Sequence, residues 1–189
     1  LDAGQLAKAQ SIYKDLCLKM GEKYYIWSEF AECWKDTEVK IALLCKALSL
    51  EKNEDFIGKI RLELARHLIK AKKYENAAVE LEQYKKHYTE MGWRVDAEID
   101  TLLRQCSSVT PTNDKNATFY EENIPIAEEH AYADIPYTEM VLVNKWKNDE
   151  GKEIMTFVDG DIIEFATNKK RFPILRNSHE GQRWRFKLY

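Results

Sequence analysis

The residue types that most often carry catalysis are scattered along this chain of 189 residues. The four histidines are His67, His87, His130 and His179. None lies in an HExxH pattern or at another metal-ligand spacing, although His130 follows two glutamates. Asp159 and Asp161 flank a glycine, and such a pair is more typical of a tight turn than of acid–base catalysis. Because the sequence also has no phosphate-binding glycine loop and no nucleophile elbow, we expect no enzyme, no cofactor and no metal site in it, and activity in residues that precede Leu1 is left open.

The thiols favour a structural role over a chemical one. The cysteines are Cys17, Cys33, Cys45 and Cys106, and no two of them form a CxxC or similarly tight pair. All except Cys106 lie inside amphipathic helical patterns. We therefore expect buried free thiols in a reducing cytoplasm, with metal or disulfide use as the alternatives.

The C-terminal end carries a basic and aromatic set that is typical of nucleic-acid contacts. The last 25 residues hold seven basic side chains against Glu180 alone. Cations there would track a phosphate backbone, and aromatic rings would stack on bases. The candidate residues are Lys169, Lys170, Arg171, Phe172, Arg183, Trp184, Arg185 and Lys187. The alternative is that the aromatic residues form a core and the charges a solvated face.

The apolar pattern of residues 61–84 predicts a pair of antiparallel helices. Leu64, Ala65 and Leu68 precede a short polar turn, and Tyr74, Ala77, Leu81 and Tyr84 follow it. Two helices approach to about 8–10 Å only where a side chain is small, so Ala65 and Ala77 are the expected contact points. This segment resembles a tetratricopeptide repeat, although Arg61 stands where that family places an aromatic residue.

The resemblance recurs at the period of about 34 residues that this family has. Trp27 precedes Arg61 by one period and is followed by Phe30 and Ala31, while Val95 lies one period after it. We expect six helices, at residues 3–20, 24–35, 37–50, 54–71, 74–90 and 94–106. An unrelated helical bundle with the same apolar stripe is the alternative.

In a stack of this kind the first helix of each pair lines an inner groove that holds a peptide or a helix of another protein. The polar residues expected on that surface are Ser28, Glu32, Lys59, Glu63, Arg66 and Lys70. Family members that hold acidic peptide C-termini use a clamp of Lys, Arg and Asn. Only the three cations match it, all on one helix, so that specificity is not carried over. A solvated charged face is the other interpretation of these residues.

After Cys106 the composition changes twice. Residues 109–138 hold an excess of acids and are expected to be an acidic linker, which either lies back along the helices or covers the next domain. Residues 139–189 alternate with period two and predict five short strands, at 140–146, 154–158, 162–165, 172–175 and 184–189. This piece loosely resembles the oligonucleotide-binding barrels of the cold-shock and S1 kind.

The expected architecture is mainly α: a tetratricopeptide-like stack over residues 1–108, the linker, and a small all-β domain over 139–189. The expected function is a protein-interaction scaffold whose groove holds a protein or peptide. The alternatives are single-stranded nucleic-acid binding by the β domain and a β domain that only caps or dimerises the stack.

The longest apolar runs are too short to span a bilayer, so we expect no membrane partner. The chain begins with Leu1, and we expect it to be part of a longer protein. Its partner and its oligomeric state are left open.

Overall fold

A computed structural model describes residues 3–111, 113, 115–160, 164–168 and 172–188. The chain divides into two compact units, one ending at Ala133 and the other beginning at Asp134. The first unit is helical and the second is built on an antiparallel sheet. The protein is therefore mainly α with a small β unit at its C-terminal end. Among the helices within the described ranges, none combines the length and apolar character needed to cross a membrane.

The six predicted helices are present, and a seventh follows them. The helices are α1 (Ala3–Met20), α2 (Tyr24–Glu32), α3 (Thr37–Leu50), α4 (Glu54–Lys70), α5 (Tyr74–Glu90), α6 (Ile99–Gln105) and α7 (Ala117–Ala131). Two of them begin at side-chain caps. Asp36 accepts hydrogen bonds from the backbone of Glu38 and Val39, at 2.8 and 3.1 Å, and Asn53 accepts one from Asp55 at 3.1 Å. These caps satisfy amide groups that a helix start leaves without partners.

Each helix from α1 to α5 packs on the next one along the chain. Because short turns join the first five, consecutive helices run in opposite directions. The alanines expected at the helix contacts are buried: Ala31 is 2% exposed, and Ala65 and Ala77 are 0% exposed. Trp27 and Phe30 of α2 are also 0% exposed, so large side chains fill the space around the small ones. The helical unit is thus a stack of antiparallel helical hairpins.

Helix α7 lies within the segment that was expected to be an acidic linker. It packs mainly on α3, and the side chains that it buries are Asn123, Ala127 and Ala131. Pro125 interrupts its sequence, and its exposed positions are rich in glutamate. A helix that buries small and polar side chains has a weak apolar pattern, and for that reason the linker interpretation missed it.

In the described part of the second unit, four strands form an antiparallel sheet with the strand order β3-β2-β1-β4. The strands are β1 (Tyr137–Lys147), β2 (Glu153–Val158), β3 (Glu164–Thr167) and β4 (Arg183–Lys187). One face of the sheet packs around a core of Met140, Leu142, Met155, Phe157 and Leu175.

The strand predicted at 172–175 is wrong. Residues Pro173–Asn177 form a 3-10 helix, in which the amide of Leu175 donates to the carbonyl of Phe172 at 3.0 Å. Proline at the start of the segment presets a helical turn, and Leu175 then enters the core. The strand predicted at 162–165 is observed at 164–167, and residues 162 and 163 lie outside the described ranges. Within those ranges, β3 pairs only with β2 and β4 only with β1, so the sheet has two edges there.

Candidate functional site

A groove of about 420 Å³ opens on the helical unit between α2 and α4. Its base is apolar, formed by Leu44, Ile60 and Leu62, which are 2%, 9% and 6% exposed. Polar and charged side chains surround this base. They are Ser28, Glu29 and Glu32 of α2, Lys59, Glu63 and Arg66 of α4, and Asp96 from the segment before α6.

The groove brings together five of the six residues that the sequence predicted for it. Ser28, Glu32, Lys59, Glu63 and Arg66 line it, whereas Lys70 is exposed in the last turn of α4 and does not. This follows from helix geometry, because residues three or four apart on α2 and on α4 share one face.

Sequence reasoning missed Glu29 and Asp96. Glu29 is the neighbour of Ser28 and carried no separate signal. Asp96 was placed inside a helix expected to begin at residue 94, but α6 begins at Ile99 and the preceding segment brings Asp96 to the groove. Only the length of the connection between α5 and α6 would have revealed this position.

Carboxylates outnumber cations around the groove. Four of them face two cationic side chains, those of Lys59 and Arg66. Arg66 is already engaged: its guanidinium donates to Glu63 at 2.9 Å and also to Glu98. These hydrogen bonds raise the pKa of Arg66, although partial burial opposes them. The positive charge of Arg66 is thus offset internally, and the groove stays acidic.

The carboxylate of Glu63 is held in its anionic form. Partial burial would raise its pKa, but the hydrogen bond from Arg66 and the neighbouring His67 lower it. The ring nitrogen Nε2 of His67 lies 3.0 Å from Glu63. Burial lowers the pKa of His67 in turn, which favours the neutral imidazole.

A tyrosine of α1 positions Glu29. The Tyr13 hydroxyl donates to Glu29 Oε2 at 2.9 Å, and burial together with this carboxylate raises the pKa of Tyr13 to about 12. The phenol therefore stays protonated and remains a donor at neutral pH. It contacts one oxygen of Glu29, so the carboxylate keeps capacity for a further donor.

Within the described ranges, no three His, Cys, Asp or Glu side chains converge as they would around a metal ion. Acidic groups above an apolar base fit a ligand that presents both cations and aliphatic side chains.

A second cluster of charges, on α4 and α5, is buried. Arg61 is 6% exposed and Glu80 is 0% exposed, and they pair at 2.6 Å between Nη1 and Oε2. Arg61 also donates to both carboxylate oxygens of Glu54, at 2.9 and 2.7 Å. The hydroxyl of Tyr120 donates to the second oxygen of Glu80, and Asn116 donates to the same oxygen at 2.6 Å. Such complete pairing is what allows a charge to remain buried.

This buried cluster attaches the start of α7 to the stack. Asn116 and Asn76 exchange hydrogen bonds, with Nδ2 of Asn116 donating to the Asn76 carbonyl and Nδ2 of Asn76 donating to Oδ1 of Asn116, each at 2.9 Å. Burial and the Glu80 charge raise the pKa of Tyr120, so that its hydroxyl remains a donor. The cluster also explains why an arginine replaces the expected aromatic residue at position 61: its partners are the carboxylates of Glu54 and Glu80.

The rest of α7 is held by a mixed set of contacts. Lys46 pairs with Glu128 at 2.7 Å and lies 5.4 Å from the ring centre of Trp27. Trp34 meets His130 edge-on, with the ring centres 4.8 Å apart. None of these residues lines the groove, so α7 and the groove use different side chains of the same stack.

Comparison with known proteins identifies the helical unit. A family model described as a domain of unknown function, DUF7017, matches residues 1–127. The chain belongs to the DUF7017 family. No curated protein and no solved structure gives a significant match.

The DUF7017 match includes every helix that builds the groove and most of α7. It therefore takes in the buried cluster of Arg61, Glu80 and Tyr120. It ends before β1 begins at Tyr137, so the sheet lies outside the DUF7017 portion of the chain.

The residues predicted to contact nucleic acid all lie beyond the DUF7017 portion, and the structure does not place them on one surface. Arg183, Arg185 and Lys187 alternate along β4 with Trp184, which packs against the core of the sheet. Phe172 also packs against that core. Lys169, Lys170 and Arg171 lie outside the described ranges.

Proposed function

We propose that this protein is an interaction scaffold of the tetratricopeptide type, and that the groove between α2 and α4 binds a basic segment of a partner protein. The observation that carries the proposal is the arrangement of Glu29, Glu32, Glu63 and Asp96 above the apolar base of the groove. Lysine and arginine side chains of the partner would meet these carboxylates, and its aliphatic side chains would reach Leu44 and Leu62.

The charge pattern favours a basic ligand over an acidic one. An acidic segment would need unengaged cations, but Arg66 is bound by Glu63 and Glu98, which leaves Lys59 to face four carboxylates. A basic segment meets carboxylates that are exposed at Glu29, Glu32 and Asp96. Electrostatic complementarity of this kind increases the association rate and selects against partners of the wrong charge.

The proposal includes a cytoplasmic location. All four cysteines are free and buried, and burial raises the pKa of the Cys17 thiol to about 12. A thiol that stays protonated and buried is unreactive, which suits a protein that keeps its cysteines reduced.

The test is a binding titration with the full chain. The probe is a fluorescein-labelled peptide of about ten residues in which lysines alternate with leucine and serine, compared with a peptide that carries glutamate in place of lysine. We expect anisotropy to report binding of the basic peptide alone, with an affinity that falls as salt is added.

Matched charge reversals locate the site. Glu32→Lys should weaken binding of the basic peptide about fivefold or more, because Glu32 lines the groove. Glu121→Lys makes the same change at an exposed position of α7 and should leave the affinity close to that of the unmodified protein. Equal losses in the two variants, or tighter binding of the acidic peptide, would contradict the proposal.

A further inference from the structure

The second unit presents one face of its sheet to solvent, which we call the open face. Strand register places Tyr137, Glu139 and Val141 of β1 beside Lys187, Arg185 and Arg183 of β4. The intervening residues, Met140 opposite Trp184 and Thr138 opposite Phe186, lie on the other face, where the core is. Because side chains alternate along a strand, the three cations of β4 share the open face.

Aromatic rings accompany these cations. Tyr137 is 49% exposed, and its ring centre lies 4.7 Å from the guanidinium of Arg185 and 4.9 Å from the ammonium of Lys187. A register shift between Leu142 and Asn144 reverses the alternation along β1, so that Lys145 stands opposite the core residue Met155 and Trp146 lies on the open face. Trp146 is 45% exposed, and its indole nitrogen donates to Thr156 at 3.2 Å. The hydrogen bond orients the indole while leaving much of the ring surface accessible.

Among the described residues, strand register places the carboxylates of Glu139 and Glu164 on this face. Glu139 pairs with Arg183 at 2.5 Å, so the charge of that arginine is largely offset. Glu164 is exposed on β3, the edge strand of the sheet that lies farthest from β4. Arg185 and Lys187 lie over Tyr137 on β4, at the edge of the sheet opposite to the strand that carries Glu164.

We propose that the open face binds a single strand of nucleic acid, with Arg185 and Lys187 contacting phosphates and with Tyr137 and Trp146 stacking on bases. The two rings are nine positions apart on β1, which corresponds to at most about 30 Å of strand and a path of several nucleotides. Exposed rings beside cations on a sheet are the arrangement by which proteins hold single strands without strict sequence preference.

Protection of the sheet edge is a competing explanation for the charges of β4, because natural edge strands carry cations that discourage pairing with other strands. That explanation accounts for Arg185 and Lys187 but not for exposed aromatic rings on β1, which is a central strand. The rings are what point to a ligand with flat apolar faces and a negative backbone.

The experiment uses the full chain and a fluorescein-labelled oligo(dT) of about 12 nucleotides. We expect anisotropy to show binding that weakens as salt rises from about 50 mM to about 200 mM. The double variant Arg185→Ala/Lys187→Ala should reduce the affinity about tenfold and flatten the salt dependence. Trp146→Ala should reduce the affinity about fivefold or more at every salt concentration, because stacking is lost rather than charge.

Arg176→Ala is the matched control. It removes one exposed arginine of the same unit from the 3-10 helix, whose Leu175 packs on the opposite face of the sheet, and it should leave binding unchanged. Circular dichroism of each variant verifies that the sheet is intact.

The proposal is overturned if oligo(dT) does not bind at low salt, or if Arg176→Ala weakens binding as much as the double variant does. Equal competition by dextran sulfate, a polyanion without bases, or insensitivity to Trp146→Ala would also overturn it.

Discussion

Helix α4 holds two arginines in contrasting ways. The side chain of Arg61 is 7% exposed and is shared by Glu54, Glu80 and Tyr120, whereas that of Arg66 is 43% exposed and pairs with Glu63 and Glu98. The Arg61 side chain is closed to a ligand, because it is buried and its donors are already used by Glu54, Glu80 and Tyr120 of α7. The Arg66 side chain is open to water at the edge of the groove. One helix thus carries a buried arginine whose partners include Tyr120 of α7, and an exposed arginine that a partner protein can still reach.

Buried and exposed ion pairs should differ in how much their loss changes the free energy of unfolding. A buried charge pair is a weak source of net stability, but removing one member leaves the other without compensation. Exposed pairs contribute little and exchange partners readily. Changes in the Arg61 cluster should therefore affect folding, and changes around Arg66 should affect binding.

The largest effect is expected from Arg61→Ala. Glu80 would remain 0% exposed without its cation, and we expect the free energy of unfolding to fall by about 3–5 kcal/mol. Urea denaturation followed by circular dichroism measures the change. If the loss is similar to that of Arg66→Ala, the two arginines do not differ as described.

Overpacking of a helix contact should rank next. Ala77 is 0% exposed where α5 meets its neighbours, so Ala77→Leu should lower the free energy of unfolding by about 1–3 kcal/mol. Ala7→Leu makes the same change at an exposed position of α1 and should be close to neutral. A neutral Ala77→Leu would count against close helix packing at this position.

Tyr120→Phe should loosen α7 selectively. It removes the hydroxyl that donates to Glu80, and we expect a loss of about 1.5 kcal/mol because the acceptor is charged. Hydrogen exchange should become faster in residues 117–131 and change little in α2. Uniform acceleration across the whole helical unit would show that α7 has no separate attachment.

The smallest change in stability is expected from Arg66→Ala. Its pairs are exposed, so the free energy of unfolding should change by less than about 1 kcal/mol. Binding of the basic peptide should tighten about two- to fivefold, because Glu63 and Glu98 lose an internal competitor. Weaker binding would instead make Arg66 a contact of the ligand.

The local pattern predicted the helical stack well. Alternation of Ala65 and Ala77 with large apolar residues identified two helices and the turn between them, and five groove residues followed from helix periodicity. The role of Arg61 was not predictable in this way, because its partner Glu80 is 19 positions away and Tyr120 is 59 positions away. Hydrogen-bonded pairs at such separations leave no periodic signal.

The same limit explains α7 and the C-terminal candidates. A helix that buries Asn123 and Ala127 lacks the apolar stripe by which helices are recognised. Along β4 the alternation of Trp184 with Arg183 and Arg185 was visible, but which face would meet the core depended on strand pairing with β1. Composition alone had grouped residues that the sheet separates.

Amide NMR of the full chain during titration with the basic peptide tests the central claim most directly, since it shows where the ligand lies. The account predicts chemical-shift changes at Ser28, Glu32, Lys59 and Glu63, with the amides of α7 unaffected. Changes centred on Asn116 and Tyr120, or no changes in α2 and α4 at saturating peptide, would contradict it.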